Sequence, residues 1–432
     1  MKFLIKNANV VFKENVKKKD IFIENGVIKK IEDNIIKSST KTINASNLFC
    51  MPGIVDIHVH LRDPGYTEKE TIKTGAKAAA AGGVTSIACM ANTNPVIDSV
   101  SNLKILQNKI CNENIHIYPI AAITKGLKGK ELVDFKALAE AKVYGFSDDG
   151  FCVTNNHLMQ TAMKEAFKLN LPILSHCEDI NMLNKGIVNE GIVSSTLNVK
   201  GINNASESIM VARDAYLSFL TGLPVHICHV STRESVEIIR MAKKNGVKIT
   251  AQTCPHYFML TDKEVLKKDA NFKMNPPLRS EKDRIAIEQA ILDGTIDIIA
   301  TDHAPHEYAA KQNFETAANG VIGLETSLAC TLTNFYITKK VNMPFIAKIM
   351  CEKPAEILNI KNTGAIYKGA VADLIILDIN RKWVVEKENF LSKSKNSAFI
   401  GKTLQGKVLY TFCSGNLVFK YNNYWTGGIK IG

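Results

Sequence analysis

Between about residues 52 and 360, short apolar runs alternate with stretches whose apolar positions recur every three or four residues. The runs carry the Val, Ile and aromatic content of strands, and the stretches between them, such as 69–81 and 206–220, have the spacing of amphipathic helices. Eight runs qualify as strands: the one that reaches His58 and His60, then 84–91, 115–122, 143–146, 171–174, 225–228, 247–252 and 298–300. Eight strands alternating with helices predict an α/β chain whose central part, 52–360, is a (β/α)8 TIM-type barrel. Outside it the period changes. Residues 3–8 and 20–26 alternate apolar with polar positions, the second ending in the hairpin signal Asn25-Gly26, and similar text returns at 372–378 and 408–415. The two ends, 1–51 and 361–432, are therefore expected to pair into a small β-sandwich domain.

Candidate chemistry collects at the C-terminal ends of the central runs, where a barrel of this type places its active site. His58-Val59-His60 sets two imidazoles two residues apart, on one side of a strand. Asp149 follows the run 143–146, His176 follows 171–174, His229 follows 225–228, and Asp302 follows 298–300. Neutral imidazoles and carboxylates are zinc ligands, and this set exceeds what one tetrahedral ion takes. His58 and His60 can hold one ion and His176 and His229 a second, with Asp149 bridging and Asp302 beside the first. Asp302 is then placed to take a proton and hand it on to a departing nitrogen.

Composition narrows the picture only a little. An apolar share of 46% and a charged share of 22% are those of an ordinary globular protein. The net charge of +12 is spread along the chain without a basic and aromatic patch, so no nucleic-acid partner is expected. The ten cysteines show no C-x-x-C pair, and no run is long enough for a membrane span or a signal peptide. Free thiols, no membrane and a cytoplasmic location follow as expectations.

In order and spacing, the segments Pro52-Gly53-Ile54-Val55-Asp56-Ile57-His58-Val59-His60-Leu61-Arg62, Gly145-Phe146-Ser147-Asp148-Asp149-Gly150, Ser175-His176-Cys177-Glu178, His229-Val230-Ser231-Thr232, Asn275-Pro276-Pro277-Leu278-Arg279, Thr301-Asp302-His303-Ala304-Pro305-His306 and Gly323-Leu324-Glu325-Thr326 resemble the amidohydrolase superfamily and, within it, the class I dihydroorotases. The resemblance covers essentially the whole chain. It implies reversible cyclisation of N-carbamoyl-L-aspartate to L-dihydroorotate, a step of pyrimidine synthesis, with Zn2+ as cofactor, two ions per chain and one held more weakly. It implies metal ligation by His58, His60, Asp149, His176, His229 and Asp302, with Asp302 catalytic. Substrate contacts are implied for His60, Arg62, Asn92, Asn275, His306, Asn319 and Gly320, although Asn319 stands where relatives often carry Phe. Hydantoinases, allantoinases and class II dihydroorotases bridge their metals with a carboxylated lysine, and Asp149 occupies that place. The family also implies a homodimer or an assembly with aspartate transcarbamoylase. The rival readings are another cyclic-amide hydrolase, or an inactive copy kept as an assembly partner.

Several residues carry plainer expectations. His116, His157, His226 and His256 read as satisfied core histidines, and Cys177 as packing. Asp56 reads as support for a ligand, Asp148 as a loop-structuring carboxylate, and His303 as facing away from the metals. The long connection 303–320 reads as a lid or an insertion that completes the pocket.

Overall fold

The computed structural model describes residues 2–37 and 40–421; the end of the 361–432 segment, from 422 on, lies outside them. The chain is mixed α/β. Both ends meet in one continuous sheet. Lys2–Val11 pairs antiparallel with Val16–Glu24 and parallel with Lys41–Asn44 and Phe49–Pro52, and Leu374–Val384 pairs antiparallel with Phe49–Pro52 on one side and Thr403–Cys413 on the other. The hairpin predicted at Asn25-Gly26 is present, with φ of 52° and 79° at the two residues, as a tight primed turn requires.

Seven of the eight strands of this sheet form one path, with Lys41–Asn44 branching from Lys2–Val11, and the path curls over its own core. Phe3 packs edge-on against Phe412 at 5.0 Å between ring centres, although two strands separate theirs in the pairing order. Ile5, Ile21, Ile23, Ile376 and Leu409 fill the space between, all buried.

The central strands are parallel, as an α/β alternation demands. Ile54–Val59, Val84–Cys89 and His116–Pro119 form one sheet; Leu174–Ser175, Val225–Ile227, Ile249–Thr253 and Ile298–Ile299 form another. Single parallel bridges link them: Ala121 to Phe146, Phe146 to Ile173, and His303 to Val59. The run 143–146, expected as a strand, is reduced to those bridges at Phe146, because only a few residues separate a helix end at Glu140 from the loop at Asp148. The backbone there still bonds on both sides, Tyr144 N to Pro119 O and Phe146 N to Pro172 O.

The helices follow their sequence signals. Ile72–Gly82 starts at Thr71, whose side chain accepts from Thr74 N in a capping box, and it stops at Gly83, held at φ 83°. It buries Ile72, Ala76, Ala78, Ala79 and Ala80 against the strands. Ala205–Thr221 runs within a residue of its predicted ends. Among the described residues, no helix is long and apolar enough to cross a membrane. The ten cysteines are free, and all but Cys111 are buried.

Candidate metal centre and active site

Each strand end delivers one or two polar side chains to a common point. From Ile54–Val59 and the residue after it come His58 and His60; beyond Phe146 comes Asp149; His176, His229 and Asp302 follow Leu174–Ser175, Val225–Ile227 and Ile298–Ile299. His58, His60, Asp149, His176, His229 and Asp302 are all buried. Asp149 stands in the middle. Its Oδ1 lies 3.2 Å from His58 Nε2 and 3.4 Å from both His176 Nδ1 and His229 Nε2, and its Oδ2 lies 3.3 Å from His60 Nε2. Asp302 Oδ1 lies 3.0 Å from His60 Nε2 and 3.5 Å from His58 Nε2.

At this point two groups of donors can each hold a metal ion, His58 with His60 and Asp149, and Asp149 with His176 and His229. Nitrogen and carboxylate oxygen are the donors zinc takes. The local chemistry asks for a cation. His58 Nε2 and Asp149 Oδ1 are buried without a hydrogen-bond partner, a condition that costs roughly 1–3 kcal/mol per group. His176 Nδ1 and His229 Nε2 face each other at 2.7 Å, where two ring nitrogens share either a proton or a cation.

The electrostatics agree. Burial alone raises the Asp149 carboxyl, but His58, His176 and His229 hold it well below the usual carboxylate range. Burial works against Asp302 too, and His58 and His60 bring it down to about 2. In return Asp149 and Asp302 lift His58 well above an ordinary imidazole against the effect of burial, and Asp149 and Glu178 do the same for His176. A bound cation takes the place of the protons these imidazoles otherwise attract.

The backbone is strained where the site is built. Arg62, His229 and Asp302 adopt φ of 61°, 33° and 47°, a region non-glycine residues avoid. Such strain persists only where the surroundings hold it, and here it aims three side chains into one cavity.

That cavity, about 410 Å³, is lined by His60, Arg62, Asn92, Asn275, His306 and Gly320 as well as Asp149, His176, His229 and Asp302. Arg62 is half-buried; its Nε donates to Pro305 O at 3.3 Å, and one of its terminal nitrogens lies 3.4 Å from His306 Nε2, neither of them an anion. Asn92 accepts from His60 Nδ1 at 2.9 Å and donates to Asp149 O at 3.4 Å; Asn275 donates to Glu178 Oε1 at 2.9 Å. Both asparagines thus brace residues at the centre while lining the cavity. His306 Nε2 is 2.8 Å from Asn319 O, so Nε2 carries the hydrogen and Nδ1 keeps a buried, unpartnered lone pair. Gly320 is held at φ 136°, and a Cβ there meets Ala304 O at 2.7 Å, so only glycine fits.

The connection 303–320 is bonded into the wall. Lys311, in a short turn at Tyr308–Lys311, donates to the carbonyl oxygens of Lys273, Ala318 and Gly320 at 2.8–3.0 Å. Asp56 Oδ1 accepts from the backbone of His58 and Thr301, both at 3.2 Å, and Asp148 accepts from Ile123 N and Thr124 N at 2.7 and 3.0 Å. His303 turns away from the donors to Glu70, and Cys177 packs beside Ser175 and Asp214. Three histidines depart from the core reading: His157 is exposed on a helix, where its polar ring is simply solvated, His116 is half-buried beside Asp373, and buried His256 leaves Nε2 without a partner. Residue types alone did not single out Glu178 or Gln252. Glu178 is two residues past His176, the same spacing that marked His58 and His60.

Comparison with known proteins decides the family. The chain is 45% identical over 403 residues to a dihydroorotase of Acetivibrio thermocellus, covering 93% of this chain and 94% of that one. It is 47% identical over 423 residues to a dihydroorotase of Elusimicrobium minutum, covering 96% and 97%. The chain belongs to the dihydroorotase family. Residues 48–235 also match the model of the Dihydro-orotase-like family. Among solved structures, family membership is accompanied by the fold of an L-hydantoinase from Arthrobacter aurescens, with a TM-score of 0.86 at 24% identity over 97% of this chain and 96% of that one. A D-hydantoinase from Thermus sp. gives a TM-score of 0.84 at 22% identity over 99% and 97%.

Proposed function

We propose that this chain is a class I dihydroorotase that interconverts N-carbamoyl-L-aspartate and L-dihydroorotate plus water in pyrimidine synthesis. The observation that carries the reading is identity above 40% to dihydroorotases along nearly the full length, against less than 25% to the hydantoinases whose fold it shares. Asp149 at the shared position of both donor groups supports it, since no carboxylated lysine stands there.

In this reading His58 and His60 would hold one Zn2+ ion and His176 and His229 a second, with Asp149 and Asp302 as the carboxylate donors. When bound, the metal makes water a nucleophile near neutral pH and polarises the ring carbonyl. The chain's own residues do the rest. Arg62 holds the substrate carboxylate, an anion that its uncompensated guanidinium suits. Asn92, Asn275 and His306 position the ring, and the backbone at Asn319 and Gly320 borders its amide. In hydrolysis the water oxygen bonds to the ring carbonyl carbon and the carbon–nitrogen bond breaks. Asp302 takes the water proton and delivers it to the departing nitrogen. Cyclisation runs the same steps in reverse.

Residues 52–360 form the catalytic unit in this reading, the parallel strands and bridges closing into a (β/α)8 barrel, and 1–51 with 361–432 form the small β domain. The protein works in the cytoplasm, as a homodimer or docked on aspartate transcarbamoylase. The test is turnover of dihydroorotate by the purified chain beside hydantoin and allantoin. Selective opening of dihydroorotate is expected; faster turnover of either other amide overturns the substrate assignment.

A further inference from the structure

Behind His58, on the side away from the metal donors, runs a chain of buried polar groups that the reaction does not use. His58 Nδ1 lies 2.6 Å from the Gln252 side-chain amide, the other end of that amide lies 3.2 Å from His226 Nε2, and His226 Nδ1 lies 2.8 Å from Thr250 Oγ1. His58, Gln252 and His226 are between 0 and 2% exposed, so each group must be satisfied from within the chain. The geometry comes from two neighbouring strands. His226 pairs with Thr250 across Val225–Ile227 and Ile249–Thr253, and Gln252 is two residues past Thr250, on the same face.

The four groups can be satisfied in two ways, and they change together. In one, the Gln252 amide nitrogen donates to His58 Nδ1, which forces the His58 hydrogen onto Nε2, facing Asp149 and Asp302. The Gln252 oxygen then accepts from His226 Nε2, and His226 Nδ1 accepts from the Thr250 hydroxyl. In the other, the amide is turned over. Its oxygen accepts from His58 Nδ1–H, its nitrogen donates to His226 Nε2, and His226 Nδ1–H donates to Thr250. Only the second arrangement leaves a bare lone pair on His58 Nε2, the atom that faces the carboxylates of its donor group.

We propose that Gln252 and His226 are positioning residues that set the tautomer of His58 and thereby how tightly the His58–His60 site takes its cation. The proposal rests on His58 being a metal ligand. Loading that site turns the relay over as a unit, and the reversal ends at Thr250 and His226, which line a second cavity of about 440 Å³ at the opposite end of the strands. A polar partner behind a metal-ligating imidazole fixes ring and tautomer, and its loss typically weakens metal binding roughly 10- to 100-fold.

Zinc titration of the metal-free protein against a competing chelator tests this, with melting of each metal-free variant as a check on folding. Gln252→Met, which offers no oxygen to His58 Nδ1–H, is expected to weaken one of the two binding steps roughly 10- to 100-fold and leave the other unchanged. Gln252→Glu, which presents only acceptor oxygens, is expected to stay within a few-fold of wild type, because His226 can supply the opposite hydrogen. Gln252→Met binding like wild type overturns the relay, and so does equal weakening in both variants. Failure of the wild type to bind zinc at all overturns the metal reading instead. Should Gln252→Met not fold, neutron diffraction of the zinc-loaded wild type reads the hydrogens directly. Deuterium is expected on Nδ1 of both His58 and His226; deuterium on His226 Nε2 overturns the proposal.

Discussion

Asp302 shows how much a single side chain is made by its neighbours. Its backbone is held at φ 47°, its Oδ1 touches two imidazoles, and against the effect of burial its carboxyl is brought down to about 2. It is an anion at neutral pH and sits at the edge of the donor cluster, where a proton can reach it from the cavity. Replacing Asp302 with Ala should leave the far-ultraviolet spectrum unchanged and cut dihydroorotate turnover by about 100-fold or more, the scale of a positioned acid or base. Near-normal turnover removes Asp302 from proton transfer. Most of the donor set was legible because each member ends an apolar run, and H-x-H needs only strand alternation to be read. Gln252 was not legible. Its role depends on His58 and His226 flanking it from strands far away in sequence, and glutamine on a strand carries no chemical signal of its own.

At the scale of elements, the pattern of apolar positions located the strands and helices but not how completely each would pair. The run 143–146 looks like its neighbours in sequence and yet bonds only through bridges at Phe146. Helix positions were easier: the stretches 69–81 and 206–220 hold the helices Ile72–Gly82 and Ala205–Thr221, the first bounded by Thr71 and Gly83. The connection 303–320 has no regular period, and what ties it down, Lys311 reaching three carbonyls, is a long polar side chain that sequence reasoning places in solvent by default. The short helix Pro255–Met259 hides a similar surprise in His256, whose ring stacks edge-on against Tyr257 and whose pKa burial lowers to about 4. Above pH 6.5 His256 is neutral in both folded and unfolded chains. Below it the unfolded chain binds a proton that the folded one refuses until about pH 4, so stability falls with acid at about 1.4 kcal/mol per pH unit. His256→Phe keeps the ring packing and removes that proton. Melting of the metal-free protein should therefore drop less between pH 7 and pH 5 in the variant, by about 2 kcal/mol; an equal drop refutes the assignment.

Across the whole molecule, residue pattern and chain path carry different information. The α/β alternation and the return of β text at the C-terminus were readable, and the structure joins the two ends in one sheet. That this sheet curls over itself depends on contacts such as Phe3 with Phe412, between residues at opposite ends of the chain, which no local pattern encodes. The fold is shared as far as hydantoinases, and sequence identity narrows the family to dihydroorotases. Among the described residues two cavities are of similar size, about 410 and 440 Å³, and of these the first is lined by the donor cluster; chemistry, not volume, marks the site. The proposed function requires this cluster to be a two-ion centre that performs dihydroorotase chemistry. Stepwise addition of zinc to the metal-free chain, with bound metal and dihydroorotate turnover followed on the same sample, reads both properties together. Negligible turnover is expected without metal, with a rise that saturates as two ions bind per chain. A metal-free chain that opens dihydroorotate at the loaded rate contradicts that requirement.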